Sequence, residues 1–129
     1  MRLAVVGSRD FKNQALVGVL LARMPKDTVV VSGGARGIDS EAEKCAKVFG
    51  LHCDVHPADW DGLGRQAGYL RNITIVEDCD IVVAFWDGLS RGTKHTIEIA
   101  HRSGKKVYVV KPEHDGRHVL EIAKEIAQA

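Results

Sequence analysis

Val29-Val30-Val31-Ser32-Gly33-Gly34-Ala35-Arg36-Gly37-Ile38-Asp39 is the stretch whose reading decides the fold. Three β-branched residues in a row suit a strand buried on both faces. A turn of small residues follows. Then Ile38, Ala42, Cys45, Ala46 and Phe49 recur at helical spacing until Gly50. The stretch therefore reads as strand, tight turn, helix. Glu43 and Lys47 are expected on the outer helix face as an i,i+4 pair.

The same unit recurs outward in both directions. Strands are expected at 3–6, 28–31, 53–56, 80–85 and 106–110, with the runs 29–31, 81–83 and 107–110 nearly all apolar. Helical patterns lie between them: Ala15, Leu16, Val19 and Leu20; then Ala67, Leu70, Ile73 and Val76; then Ile97 and Ala100 before Gly104. A last helix from about His118 carries Val119, Ile122, Ala123 and Ile126 on its inner face. Strict alternation predicts an α/β protein with a parallel, doubly wound sheet and right-handed crossovers. The expected form is a three-layer αβα sandwich with five strands in the order 3-2-1-4-5, one domain over residues 1–129. The longest loop is expected around 57–68, and long loops in compact domains are commonly functional.

Composition limits the function classes. The chain has 129 residues, 45% of them hydrophobic but only 5% aromatic, so the core must be aliphatic. Its formal net charge of +1 argues against a protein that coats nucleic acid and makes any phosphate recognition local. Cys45, Cys53 and Cys79 are an odd number without a CxxC pair, as expected of reduced thiols. His52, Cys53 and His56, like His114 and His118, lack metal-like spacing, and no metal site is expected. The chain opens directly on a strand, and no apolar run approaches the ~20 residues a membrane span needs. A cytoplasmic protein without a membrane partner is expected.

In open α/β sheets, ligands bind beyond the C-terminal strand ends. Three such ends carry small polar residues and arginines: Gly7-Ser8-Arg9-Asp10; Ser32-Gly33-Gly34-Ala35-Arg36-Gly37; and Asp87-Gly88-Leu89-Ser90-Arg91-Gly92-Thr93. The last two precede helices, whose N-termini offer free N–H groups and partial positive charge. Glycines admit close approach by an anion. Arg9, Arg36 and Arg91 suit phosphate because the guanidinium donates a planar fork of hydrogen bonds. Ser8, Ser32, Ser90 and Thr93 are helix caps or phosphate donors. Asp39 compensates a helix dipole or contacts a ribose or base. Trp60 and Trp86 either pack or receive a stacked base. His95 is a binding or catalytic candidate because imidazole titrates near neutrality. Asp59, Asp61 and Asp87 are possible general bases. Neither a Walker loop nor a GxGxxG fingerprint is present.

At these residues the chain resembles a known family. The run from Val30 to Asp39, with Ala42, Ala46, Arg71-Asn72 and Ser90-Arg91-Gly92-Thr93, is similar to the Rossmann-like core of DNA-processing protein A (DprA/SMF). DprA belongs with the Lonely Guy (LOG) phosphoribohydrolases in the SLOG superfamily. Gly7-Ser8-Arg9-Asp10-Phe11, His56-Pro57-Ala58-Asp59-Trp60, Gly64-Arg65 and Ala84-Phe85-Trp86-Asp87-Gly88 look like the small stand-alone YspA-like members of bacteria and phages. The resemblance implies a nucleotide or nucleotide-derived ligand, no further required cofactor, and a homodimer. It adds Arg71 and Asn72 to the ligand-binding set; Arg71 then joins Asp87 and His95, already candidates from their place in the third turn and its helix, as the catalytic candidates. LOG enzymes carry a catalytic Glu in Gly-Thr-x-x-Glu; here Thr96 stands at that position and Glu98 lies two residues on. Three functions are therefore expected in order: a nucleotide sensor, carrier or sink; an N-glycosidic hydrolase or transferase on nucleoside monophosphates; and single-stranded DNA binding.

Overall fold

A computed structural model describes residues 1–64 and 66–128. Arg65, half of the Gly64-Arg65 pair, lies outside the described residues. Five strands alternate with helices: β1 (Arg2–Gly7), α1 (Leu16–Leu21), β2 (Val29–Ser32), α2 (Ile38–Val48), β3 (His52–Val55), α3 (Trp60–Leu63), α4 (Gln66–Glu77), β4 (Ile81–Phe85), α5 (Arg91–Arg102), β5 (Lys106–Val110) and α6 (Gly116–Gln128). All pairings are parallel, and the sheet order is β3-β2-β1-β4-β5. The expected Rossmann-like sandwich and strand order are found.

Alternating strand residues feed two aliphatic layers. Leu3, Val5, Val30, Val83, Phe85 and Val110 meet α1, α2 and α6 on one face. Ala4, Val6, Val31, Val82 and Ala84 meet α4 and α5 on the other. The inner face of α6 is the expected one, with Val119, Ile122, Ala123 and Ile126 all buried.

Four local expectations are corrected. The apolar run 107–110 suggests a strand buried on both faces, but within β5, which lies at the edge where the expected order puts it, only Val110 is fully buried. Helix α4 buries Ala67, Asn72, Ile75 and Val76, leaving Leu70 and Ile73 exposed. Its rotation is set by polar contacts of Arg71 and Asn72, described below, as well as by oil. The long loop at 57–68 contains α3. On α2 the ion pair runs Glu41–Lys44 at 4.0 Å, not Glu43–Lys47.

Strand order reverses between β1 and β4, so the crevice outside their C-terminal ends is where this architecture leaves room for a ligand.

Candidate functional site

The three turns that leave β1, β2 and β4 meet one another. Gly37 is the N-cap of α2 with φ of 81°, and a side chain there would run into the backbone of Arg9. This close approach joins the first turn to the second. The hydroxyl of Ser8 accepts the N–H of Asp87 (3.2 Å), joining the first turn to the third. Helix α4 ties the second to the third. Arg71 Nη1 donates to the Gly33 carbonyl (2.5 Å), and Asn72 Nδ2 donates to the Gly92 carbonyl (3.2 Å). Arg71 Nε also donates to Asn72 Oδ1 (3.1 Å), so the two side chains orient each other. Gly33 must lack a side chain, because a Cβ there would sit 2.7 Å from Arg71 Nη1 and 2.8 Å from Asp39 Oδ2.

The joined turns and α4 wall a cleft of about 580 Å³, a size usual for small-molecule sites. A second hollow of about 360 Å³ adjoins it, and Arg9, Ala35, Trp60 and Arg71 line both. Of the residues expected at the site, Gly7, Ser8, Arg9, Ala35, Asp39, Arg71, Asn72, Asp87, Ser90, Gly92 and Thr93 line the cleft. Gly33, Gly34 and Arg36 line the adjoining hollow. Ser32, Gly37, Trp86, Gly88, Arg91 and His95 line neither. Ser32 is buried; its hydroxyl donates to the Asp39 carbonyl (3.2 Å) and accepts the Gly34 N–H (3.4 Å). Trp86 Nε1 donates to the Ser90 carbonyl (3.0 Å), bracing the third turn. Gly88 and Arg91 face solvent. His95 stands behind the cleft wall, where Nδ1 faces Asn72 Nδ2 at 3.2 Å. The amide nitrogen of Asn72 can only donate, so Nδ1 accepts and Nε2 carries the proton of the neutral ring. Burial, then the charge of Arg102, lowers the His95 pKa.

The carboxylates are set by local hydrogen bonding. Asp87 Oδ1 accepts N–H bonds from Leu89 and Ser90, both at 2.8 Å. Burial works to raise its pKa, but bonds from Ser90, Leu89 and Ser8 outweigh that and hold it below the usual range. A base so stabilised is poorly suited to taking a proton. Asp39 is the opposite case. It is only 4% exposed. Oδ2 accepts the Ala35 N–H (3.2 Å), and Oδ1 has no partner in hydrogen-bonding geometry. Burial pushes its pKa up to about 6, against the Ala35 hydrogen bond and the charge of Arg71. Asp39 thus braces the second turn from within.

Some lining residues were not anticipated. Tyr69 and Gly68, on α4, border the cleft, while Asp10 and Leu89 reach it from within the expected first and third turns. Tyr69 was hidden by the assignment of its neighbour Leu70 to the core. Trp60 borders both cavities from α3.

The remaining expected groups lie elsewhere. His52 and His56 belong to an ion-pair network centred on Arg2. Arg2 Nη2 meets Asp54 (2.5 Å) and Asp78 (2.7 Å), Asp54 meets His52 (2.9 Å), and Asp78 meets His56 (2.7 Å). Among the described residues no group of three or more His, Cys, Asp or Glu could hold a metal ion. Cys45, Cys53 and Cys79 are free, and burial holds the thiols of Cys53 and Cys79 at about 11, protonated at neutral pH. Among the described residues no helix is long and apolar enough to cross a membrane.

Comparison with known proteins gives three kinds of match. Residues 1–62 match the model of the YspA, cpYpsA-related SLOG family. A relative, Gene 61 protein of Mycobacterium phage D29, is 39% identical over 80% of this chain and 90% of its own length. Among solved structures, DNA processing protein A from Streptococcus pneumoniae superposes with a TM-score of 0.74 at 23% identity, over 98% of this chain and 56% of that one. The chain thus spans little more than half of that structure. DNA processing protein A from Helicobacter pylori, described for its single-stranded DNA binding mode, gives 0.64 at 16% identity over 99% of this chain and 80% of that one.

Proposed function

Because the chain belongs to the YspA, cpYpsA-related SLOG family, we propose that it binds a nucleotide or nucleotide-derived small molecule in the cleft at the β1/β4 crevice, acting as a sensor, carrier or sink. The observation that carries this reading is the meeting of three strand-end turns around one 580 Å³ cleft that also takes in Arg9 and Arg71. Arg9 has no carboxylate within ion-pairing distance among the described residues, whereas Arg71 is held in place by Gly33 and Asn72. One guanidinium is free to follow a phosphate and the other is pre-positioned. N-glycosidic hydrolysis has less behind it. Thr96 is 2% exposed and its hydroxyl donates to the Gly92 carbonyl (3.1 Å), so the LOG acid position offers no proton.

The test is native mass spectrometry of the purified protein, with thermal shift against a panel of nucleotides. A ligand at 100 times its Kd should stabilise the fold by about 2.7 kcal/mol, and Arg9→Ala should weaken binding. No retained nucleotide and no shift with any member of the panel would overturn the reading.

A second reading is single-stranded DNA binding, the property for which the Helicobacter pylori protein is described. Exposed Arg9, which borders both cavities, and exposed Arg36, in the adjoining hollow, favour it. It requires affinity that falls steeply with salt, and salt-insensitive binding would remove it. The expected cytoplasmic setting and homodimer accompany either reading; light scattering reports the second.

A further inference from the structure

The cleft has an aromatic side that phosphate recognition does not explain. Trp60, on α3, is 53% exposed, and Tyr69, on α4, is 50% exposed; both border the cleft. Large aromatic rings left half in water at a concave surface are costly unless something covers them. Neither ring is loosely hung. Trp60 lies on Gly68, where an added Cβ would come within 3.1 Å of indole Cη2. Gly68 is thus the seat that lets the indole lie close to the helix. Tyr69 packs edge-on against His95, with centroids 4.6 Å apart and planes at 84°. His95 is in turn held by Asn72, the same residue that ties α4 to the third turn through Gly92. A chain of contacts runs from the joined turns through Asn72 and His95 to an exposed phenol ring.

Resting on the nucleotide-cleft reading, we propose that Trp60 and Tyr69 form the stacking wall for the ligand's aromatic base, and that His95 is the positioning residue that holds Tyr69 edge-on. The ligand class narrows accordingly. A planar heteroaromatic base is required, and a sugar phosphate or inorganic phosphate satisfies only the arginine side. Every base has a π face, so the wall selects for the presence of a base more than for its identity. The role of His95 follows from its place. It borders neither cavity, so it acts through Tyr69 and not on the ligand.

The experiment compares ribose 5-phosphate with a panel of nucleoside 5′-monophosphates by calorimetry and by tryptophan fluorescence. In the wild type, the tightest nucleotide should bind about 5- to 140-fold more strongly than ribose 5-phosphate, the range of one stacked base. Nucleotide, but not ribose 5-phosphate, should quench fluorescence, and Trp60→Leu should abolish the quenching. Tyr69→Leu and His95→Ala should weaken nucleotide affinity and leave ribose 5-phosphate affinity unchanged. His95→Phe keeps a ring against Tyr69 but gives Asn72 no acceptor, and should restore part of the nucleotide affinity, a rescue that a histidine acting directly on the ligand would not show. Equal binding of nucleotide and ribose 5-phosphate overturns this inference while sparing the cleft reading. No binding of either overturns both. Unchanged nucleotide affinity in Trp60→Leu and Tyr69→Leu, with a dimer converted to monomer, assigns the rings to a second copy of the chain and overturns the inference. If a leucine variant fails to fold, the wild-type comparison with ribose 5-phosphate decides alone.

Discussion

Replacing Asp39 by asparagine should remove a pH dependence of stability that the wild-type fold carries. The carboxyl is buried, with one oxygen on the Ala35 N–H and the other without a partner. Its surroundings are mixed. Burial and the nearby charge of Glu43 oppose ionisation; the Ala35 and Gly7 amides and the charge of Arg71 favour it. The balance lifts the pKa from 3.8 to about 6. The native state therefore holds the Asp39 proton more tightly than the unfolded chain does. Stability from this group is greatest below about pH 4, falls as pH rises from about 4 to about 6, and is flat above. A shift of about two units corresponds to about 3 kcal/mol at full effect. Asparagine keeps an oxygen for Ala35 and cannot ionise. The difference in unfolding free energy between Asp39→Asn and wild type should swing toward the variant by about 2 to 3 kcal/mol between pH 4 and pH 8. Urea denaturation of both proteins across that range measures it, provided the m-values agree. Subtraction cancels Asp54, Asp78 and Asp87, whose pKa values are lowered and which act at more acid pH. A difference that stays level from pH 4 to pH 8 would refute the reasoning, because it would mean that Asp39 is ionised at no cost.

Three further outcomes follow from the same geometry. Gly37→Ala should destabilise the fold by at least about 2 kcal/mol, since a side chain at so unfavourable a positive φ costs on the order of 1–3 kcal/mol and the new Cβ meets the Arg9 backbone; thermal melting checks it. Arg2→Met should cost about 1–2 kcal/mol at neutral pH, because its two ion pairs are a third exposed and partly screened. Hydrogen bonds from Arg2 hold Asp54 and Asp78 below the usual carboxylate range, so this contribution is present above about pH 4 and lost as pH falls below it; denaturation at low and neutral pH reads the change. Asn72→Ala should cost about 1–3 kcal/mol, since it strips partners from Gly92 and Arg71, and should weaken nucleotide binding in calorimetry as the third turn loosens.

Sheet order was legible because strict alternation of strands and helices leaves few topologies, and the apolar runs at 29–31 and 81–83 mark the interior. The second turn was legible because its glycines, small residues and helix stripe are all local. What escaped reading depends on partners distant in sequence. Arg2 finds Asp54 and Asp78 across separations of 52 and 76 residues. The rotation of α4 follows from Arg71 and Asn72 reaching to Gly33 and Gly92, so Leu70 and Ile73 face water although their spacing suits a core. Rotating the helix this way also brings Tyr69 to the cleft. The apolar content of 107–110 gave no sign that Val107, Tyr108 and Val109 would be only partly buried, although the strand order legible in the sequence already placed β5 at an edge.

The two aliphatic layers and the joined turns differ in how freely they can drift. In the layers, one branched aliphatic can replace another of similar volume for under about 1.5 kcal/mol, so Val30, Val83 or Ile122 have several acceptable successors. At Gly37 and Gly33 no other residue fits without moving Arg9, Arg71 or Asp39. Over many generations the interior should lose its ancestral spelling first, while the crevice keeps its letters.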